Sequence, residues 1–365
     1  MKWITKYSLL LAGAWVFLAS CQRRPLEDGQ IGKARIPIGA VWTVAGISPQ
    51  NVTALFYNQQ DGKLVVEHRF ENNGNRIQTY ADVPVGTYTV VLFNEIRGQI
   101  RGVGIRGYEN LATLEAFALP NATPNATPNA APGLKPGLQS RANDPGYVYE
   151  PDILASVMVR GFEVTCEMVS YTQSVPGKAV SATMESSLEV LVGLVPERKV
   201  HEFYIVVHVE GLKNARMPAL INLQGMAESY GFDPDRNTRI EAIQQFTMNN
   251  RTYDAGSNQD GTISAKIHTF GMLGEKPAST DPQATVPVVM DFFFMLVDAD
   301  KTVVHQQVDV TSSIRYLSQP HGATTLELEI KLPEALPHVD PHGENSGFNT
   351  ELVDWEVIDV PLQAK

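Results

Sequence analysis

Apolar residues alternate with polar ones along much of the chain, and short clusters rich in glycine, proline and asparagine interrupt the alternation. A period of two places successive side chains on opposite faces of a β-strand. Residues 63–70 and 87–93 show the pattern clearly, and Asp-Gly and Asn-Gly pairs at 61–62 and 73–74 are favoured at hairpin turns. The sequence therefore predicts an all-β protein built mainly from antiparallel strands.

Strand patterns continue in the second half of the chain. Residues 203–209 and 288–297 are apolar on both faces, which favours central strands covered on both sides. Residues 326–332 alternate without a break, as expected for a strand with one solvent-facing side. The segments 179–194 and 236–246 fit either a strand or a short helix.

A proline-rich repeat interrupts the strands between residues 120 and 147. Three four-residue units that begin with asparagine and end with proline follow one another there. Proline lacks a backbone donor and favours extended backbone before it, so we expect an exposed linker. The linker divides the mature chain into an N-terminal β-sandwich over 35–119 and a C-terminal β-sandwich domain over 148–365.

Residues 1–20 predict a lipoprotein signal peptide. Two lysines precede the apolar segment 9–18, which is short for a bilayer span and has the length of a secretory hydrophobic region. It leads into Leu-Ala-Ser-Cys, and cleavage between Ser20 and Cys21 resembles the processing of bacterial lipoproteins. Cys21 is then the lipidated residue. An uncleaved anchor and ordinary cleavage beside an incidental cysteine are the alternatives.

The predicted anchor is lipid alone. Several acyl chains, such as palmitate, on Cys21 meet the need for more than one hydrophobic signal in stable anchoring. Residues 21–34 are polar and predict a tether. Gln22, rather than aspartate, follows the cysteine, which by resemblance to bacterial sorting signals favours the outer membrane. The cell surface is favoured over the periplasmic face, and the sequence leaves both open.

Charge and cysteine usage exclude two classes of protein. The chain has 29 Lys and Arg against 40 Asp and Glu, a formal charge of −11, and no basic block, so no nucleic-acid partner is expected. With Cys21 acylated, Cys166 is the second of two cysteines and an intramolecular disulfide is excluded. Cys166 is predicted to be a buried strand residue. A nucleophile and an intermolecular disulfide are the alternatives.

The sequence contains few candidate catalytic or cofactor-binding motifs, and no cofactor is expected. His338, Asp340 and His342 offer two imidazoles and a carboxylate to a metal ion, but the neighbouring prolines favour an exposed polar loop. Residues 258–261 resemble part of a calcium loop and are predicted to form a hairpin turn. The sequence also leaves open a catalytic pair of carboxylates like that of glycosidases.

The other histidines and the tryptophans are weak candidates for a catalytic or binding role. His68 and His208 lie within predicted strands and are interpreted as structural side chains. Two of the four tryptophans belong to the signal peptide, so Trp42 and Trp355 remain in the mature chain for stacking on a sugar.

Several short segments together point to a family. They are the Arg23–Glu27 segment after Cys21 and residues 83–94, 159–164, 210–214, 223–227, 267–271, 309–311, 347–349 and 354–355. With the signal sequence, they resemble a family of Bacteroidales outer-membrane lipoproteins of unknown function. That family is similar to the fimbrillin-like proteins, especially to the minor subunits that anchor and cap fimbriae.

The resemblance implies two transthyretin-like β-sandwich domains in tandem and assembly by strand exchange with fimbrial subunits. It implies a non-enzymatic, lipid-anchored protein of fimbrial anchoring, assembly or adhesion. Shaft subunits of the family are cleaved after a basic residue near the first strand; Lys33 and Arg35 stand there, but we expect no cleavage in an anchored chain. A surface lipoprotein that binds carbohydrate or a host ligand, and a hydrolase on a β-scaffold, are the alternatives.

Overall fold

The structure of the chain is a computed structural model. It describes eight segments, namely residues 32–71, 77–94, 102–121, 146–174, 191–257, 259–273, 286–317 and 325–340. The predicted signal peptide with Ser20 and Cys21, most of the tether and most of the linker lie outside the described residues. Among the described residues, no helix has the length and apolarity needed to cross a membrane.

Within these segments the chain forms twenty-one β-strands. In chain order they are β1 (Lys33–Ala40), β2 (Asn51–Asn58), β3 (Leu64–Glu71), β4 (Ile77–Pro84), β5 (Gly86–Asn94), β6 (Val103–Arg106), β7 (Glu115–Ala118), β8 (Gly146–Val148), β9 (Ala155–Val164), β10 (Glu197–Arg198), β11 (His201–Val209), β12 (Ala219–Ala227), β13 (Ser229–Gly231), β14 (Arg236–Asn237), β15 (Glu241–Met248), β16 (Asn250–Tyr253), β17 (Gly261–Thr269), β18 (Val289–Met295), β19 (Val303–Asp309), β20 (Ile314–Leu317) and β21 (Thr325–Lys331).

Helices are a minor component of the described segments. The α-helix α1 (Cys166–Ser174) follows β9. Short 3₁₀ turns are formed by Trp42–Ala45, Leu111–Thr113, Leu212–Asn214 and Thr311–Ser313. The predicted all-β class is therefore confirmed, and the ambiguous segment 236–246 is strand, in β14 and β15.

The chain divides into two compact units, each assembled from two separate segments. The first unit comprises Met1–Asn94 and Val157–Pro196, and the second comprises Glu95–Ser156 and Glu197–Lys365. These limits differ from the predicted domains, which place the boundary at the linker 120–147.

Strand pairing explains the difference. β6 and β7 precede the predicted linker, yet β7 pairs with β13 of the second unit. β9 follows the linker, yet most of it belongs to the first unit, where it lies beside β5. Strands that precede the linker therefore pair with strands that follow it. Such non-local pairing leaves no mark on local composition.

The first unit combines a strand pair with a larger sheet. β1 and β4 pair antiparallel over eight residues, and Ala34, Ile36 and Ile38 of β1 are fully buried. The larger sheet places β9, β5, β2 and β3 side by side. β5, which lies between β2 and β9, is buried on both faces, whereas the edge strand β3 keeps the predicted alternation.

The second unit contains a four-stranded sheet, in the order β14–β13–β7–β6, and two five-stranded sheets that form a β-sandwich. We call them the β11 sheet, in the order β16–β17–β11–β21–β20, and the β12 sheet, in the order β19–β18–β12–β15–β8. Their inner faces share one apolar core, formed among others by Phe203, Ile205, Val207, Ile263, Leu326 and Leu328 from the first and by Ile221, Leu223, Met248, Met290, Phe292 and Phe294 from the second.

One strand prediction in this unit is wrong in part. β11 is central, between β17 and β21, as predicted. Its outer face is not covered, however, since Tyr204 is 39% exposed. An apolar outer face therefore does not by itself show that a second layer packs on a sheet.

The predicted burial of Cys166 is also wrong. The side chain is exposed, and Cys166 is the first residue of α1. Thr165 ends the strand because its hydroxyl accepts a hydrogen bond from the amide of Met168 at 3.3 Å, which caps the helix. Glu167 adds a favourable negative charge to the first turn.

The predicted hairpin turns that the structure describes are present. β2 and β3 join through Gly62, whose φ of 70° is the left-handed conformation that glycine adopts without strain. β16 and β17 pair across the predicted turn at 258–261, and Asp260 there accepts hydrogen bonds from Ser257 and from the amide of Gly211. The pair at 73–74 and Asn258 lie outside the described residues.

Candidate docking surface

The predicted metal candidate is only partly described. His338 and Asp340 lie exposed on the extended segment that follows β21, and His342 lies outside the described residues. No group of three or more metal-ligating side chains occurs in the part of the chain that the structure describes. His338 and Asp340 therefore belong to an exposed polar segment.

The aromatic and histidine candidates occupy structural positions. Trp42 is only 2% exposed and so offers no face to a sugar, while Trp355 lies outside the described residues. His68 stacks on Phe70 with ring centroids 5.5 Å apart. Burial lowers the pKa of His68, and the charge of Asp82 opposes that shift.

The outer face of the β11 sheet is organised by ion pairs. Glu202 accepts from Arg198 at 2.9 Å and from Lys266 at 3.0 Å, and the Tyr204 hydroxyl donates to the same carboxylate at 3.2 Å. Burial raises the pKa of Glu202, but the hydrogen bonds and charges of Lys266 and Arg198 outweigh it and lower the pKa overall. These carboxylate oxygens are already paired with basic groups, an arrangement suited to structure rather than to proton transfer.

The longest edge strand of the sandwich is β19, with seven residues. This strand pairs with β18 over seven residues without a register shift and forms the edge of the β12 sheet. Among the described residues, no strand pairs with its other side. An edge strand presents unpaired N–H and C=O groups in alternation, which is the template for adding a strand.

β19 lacks the features that usually protect an edge. Natural edges carry lysine, proline or bulges, or are kept very short. The four-residue edges β16 and β20 carry Arg251 and Arg315, whereas β19 contains no Lys, Arg or Pro and ends in a single acid, Asp309. β19 is thus long, regular and weakly charged.

The same strand is held firmly from the inside. The Gln306 side chain is buried; its amide donates to the Glu334 carbonyl at 2.9 Å and accepts from the Glu334 amide at 3.3 Å. Leu332 and Leu336, on either side of Glu334, are buried in the core. The segment after β21 is therefore hydrogen-bonded to the inner face of β19.

Comparison with known proteins identifies one family and several similar folds. A family model described as "Domain of unknown function (DUF5119)" matches residues 20–247, more than half of the 365-residue chain. No curated protein matches the chain.

Among solved structures, a putative adhesin from Bacteroides ovatus is 18% identical with a TM-score of 0.49, and the match covers 87% of this chain and 98% of that one. The fimbrial anchor protein Mfa2 from Porphyromonas gingivalis is 10% identical (TM-score 0.41; 77% and 84% covered). The tip fimbrial protein Mfa3 from the same organism is 12% identical (TM-score 0.34; 76% and 81% covered). At TM-scores below 0.5, these likenesses do not by themselves assign a function.

Proposed function

The chain belongs to the family described as Domain of unknown function (DUF5119), and from that premise we propose that it is a non-enzymatic, lipid-anchored, fimbrillin-like protein of the cell envelope. It acts in fimbrial anchoring, assembly or adhesion. Acyl chains on Cys21 hold it in the outer membrane, with the body at the cell surface, and its partners are fimbrial subunits or other fimbrillin-like proteins.

Three features support the anchor. Residues 18–21 form the lipoprotein cleavage motif after a short apolar segment. The family match begins at residue 20, directly before Cys21. Several acyl chains on Cys21 supply more than one hydrophobic signal, as stable anchoring requires.

The open edge of β19 carries the docking part of the proposal. A partner strand laid along its seven residues gains main-chain hydrogen bonds, and its alternate side chains meet the two faces of the β12 sheet. The hydrogen-bonded attachment of Gln306 to Glu334 lowers the entropic cost of docking because the edge is already ordered.

The anchor is tested by metabolic labelling with palmitate. We expect label in the wild-type chain and none in Cys21→Ala, with Cys166→Ala labelled like the wild type as the matched control. Label in Cys21→Ala equal to that in the wild type would refute lipidation at this residue.

Docking is tested by isolating outer-membrane material from cells that also express the fimbrial subunits proposed as partners. We expect the protein in SDS-resistant ladders with fimbrial subunits. Val303→Lys places a charge on the β19 edge and should reduce the laddered fraction at least about tenfold, whereas Asn250→Lys on the β16 edge should leave it unchanged. A protein that stays monomeric in every sample contradicts the assembly role, and equal loss in both variants contradicts the choice of β19.

A further inference from the structure

The outer face of the β12 sheet carries a row of polar side chains that crosses four strands. Gln307 of β19 pairs in register with Asp291 of β18, Asp291 with Asn222 of β12, and Asn222 with Gln245 of β15. We call these four residues the polar row. Met290 and Phe292, on either side of Asp291, point into the core, so Asp291 points outward.

Asp291 organises one half of the polar row. Its Oδ1 accepts from Nε2 of His305 at 2.8 Å and from Nε2 of Gln307 at 3.0 Å, and its Oδ2 accepts from Nε2 of Gln224 at 2.6 Å. The residue is 6% exposed. A nearly buried carboxylate with three donors is an arrangement that holds those donors in fixed directions.

Asn222 organises the other half. Its Oδ1 accepts from Nε2 of Gln245 at 3.0 Å, and its Nδ2 donates to the hydroxyl of Tyr147 on β8 at 3.4 Å. Asn222 is 5% exposed, while Gln245 and Tyr147 are half-buried. Asp291 and Asn222 are therefore buried at the centre of the polar row, and more exposed side chains surround them.

The two glutamines bound to Asp291, Gln224 and Gln307, have hydrogen-bonding groups that pair with none of the described residues. A primary amide has two N–H donors and one oxygen acceptor. Gln224 and Gln307 each use one N–H on Asp291, which fixes the amide plane and leaves the oxygen and the second N–H for a ligand. These groups are ordered before any ligand arrives, so binding costs less conformational entropy.

A β-bulge keeps Gln224 apart from the neighbouring strand. The register of β12 with β15 shifts between Leu223 and Met226, so that Gln224 and Gly225 together oppose Ile243. Gly225 has a φ of +85°, and a Cβ there would lie 2.5 Å from the carbonyl oxygen of Pro287. Bulges of this kind occur next to functional sites, where they redirect a side chain.

An aromatic pair borders the polar row. Phe293 is the next outward residue of β18 after Asp291, and its ring stacks on that of His305 at 4.6 Å between centroids and 10° between planes. The His305 side chain is 49% exposed. An aromatic surface beside ordered amides offers both an apolar contact for ring C–H groups and hydrogen bonds for hydroxyls.

The charge of this face selects the class of ligand. None of the side chains in the network described above is Lys or Arg, so an anionic ligand would meet Asp291 without a compensating cation. A cationic ligand would compete with three donors already bound to that carboxylate. A neutral, polyhydroxylated ligand meets neither obstacle.

We propose that the outer face of the β12 sheet binds a neutral oligosaccharide. The amides of Gln224 and Gln307 hydrogen-bond its hydroxyls, and the Phe293–His305 pair contacts the face of a sugar ring. This site uses side chains on a sheet face, whereas the proposed docking uses the main chain of the β19 edge, so failure of one leaves the other standing.

The test is calorimetric titration of the full lipidated chain in a sugar-free polyoxyethylene detergent. The probes are cellohexaose, laminarihexaose, maltoheptaose and mannohexaose, with an oligogalacturonate as the anionic comparison. We expect at least one neutral probe to bind and to raise the Tm, and the oligogalacturonate to bind at least about tenfold more weakly.

Variants assign the binding to this face. Gln307→Ala and Gln224→Ala should each weaken the neutral probe at least about tenfold, and Gln259→Ala, the same change on an exposed turn of the same unit, should leave affinity within twofold. Gln307 is exposed, so its variant keeps the fold, which the unliganded Tm verifies. Absence of binding by all four neutral probes, equal affinity for the anionic probe, or unchanged affinity in both variants would overturn the proposal.

Discussion

The two outer faces of the sandwich differ in chemistry although they rest on one core. On the β11 sheet, Glu202 is saturated by Arg198 and Lys266, and His208 pairs with Glu329 at 3.0 Å. On the β12 sheet, neutral amides surround Asp291 and keep part of their capacity. Ion pairs near the surface contribute little to stability, and their charged groups are already paired with each other. The ordered amides still have donors and acceptors that can bind a ligand. The fold supplies two similar platforms, and only their side chains decide which one recognises a ligand.

The largest expected effect comes from the shared core. Phe292→Ala removes a fully buried ring between the two sheets and should lower the free energy of unfolding by about 3–5 kcal/mol. Both faces should be lost together in one urea transition. Phe293→Ala, the next residue on the outward side, is the matched control and should cost less than half as much. Comparable losses in the two variants would contradict the assignment of inner and outer faces.

The second effect is specific to the β12 sheet. Asp291→Leu removes the acceptor of His305, Gln307 and Gln224 and should cost about 1–3 kcal/mol, because three hydrogen bonds to a nearly buried carboxylate are lost. Urea unfolding measures the change. Glu329→Gln on the β11 sheet removes an exposed carboxylate and should change the free energy by less than about 0.5 kcal/mol. If the Glu329 variant is the more damaging, the contrast between the faces is wrong.

The fold class could be predicted from the sequence, but only part of the candidate sites could. β3 and β21 alternate because one face of each is solvated, so their local pattern carries their structure. The polar row is non-local, since its members come from four strands spread over residues 222–307 and meet only through register. One signal was available: Asp291 interrupts the apolar run 288–297, and a carboxylate within a central strand needs partners.

The division into units and the end of β9 could not be predicted from the sequence, for two different physical reasons. Pairing of β7 with β13 is decided by distant residues, and local composition marks only the linker between them. Thr165 caps a short helix, a local event that the longer β-pattern around Cys166 hides. The transthyretin-like topology and the role of Cys21 remain predictions.

A third, smaller effect concerns the pH dependence of the β11 face. Lys266 and Arg198 lower the pKa of Glu202 in the folded state below its ordinary value of 4.5, against the opposing effect of burial. A lowered folded pKa stabilises the fold above the ordinary value, and this stabilisation is lost as the pH falls through the folded value. The difference in urea midpoint between wild type and Glu202→Gln should therefore be largest at neutral pH and shrink as the pH falls below 4.5. A difference independent of pH would show that the carboxylate charge is not responsible.

The smallest effect separates the faces by salt. Lys266→Met breaks one partly exposed pair with Glu202 and should cost no more than about 1 kcal/mol at low salt. Because ions screen charges at the surface, this cost should fall toward zero in about 1 M NaCl, where the Debye length is about 3 Å. Gln245→Ala removes a neutral hydrogen bond to Asn222, so its cost in urea unfolding should be the same at both salt concentrations. A salt-dependent cost for Gln245→Ala would mean that charge also holds the polar row together, and the distinction between the two faces would then lie in their shape and not in their electrostatics.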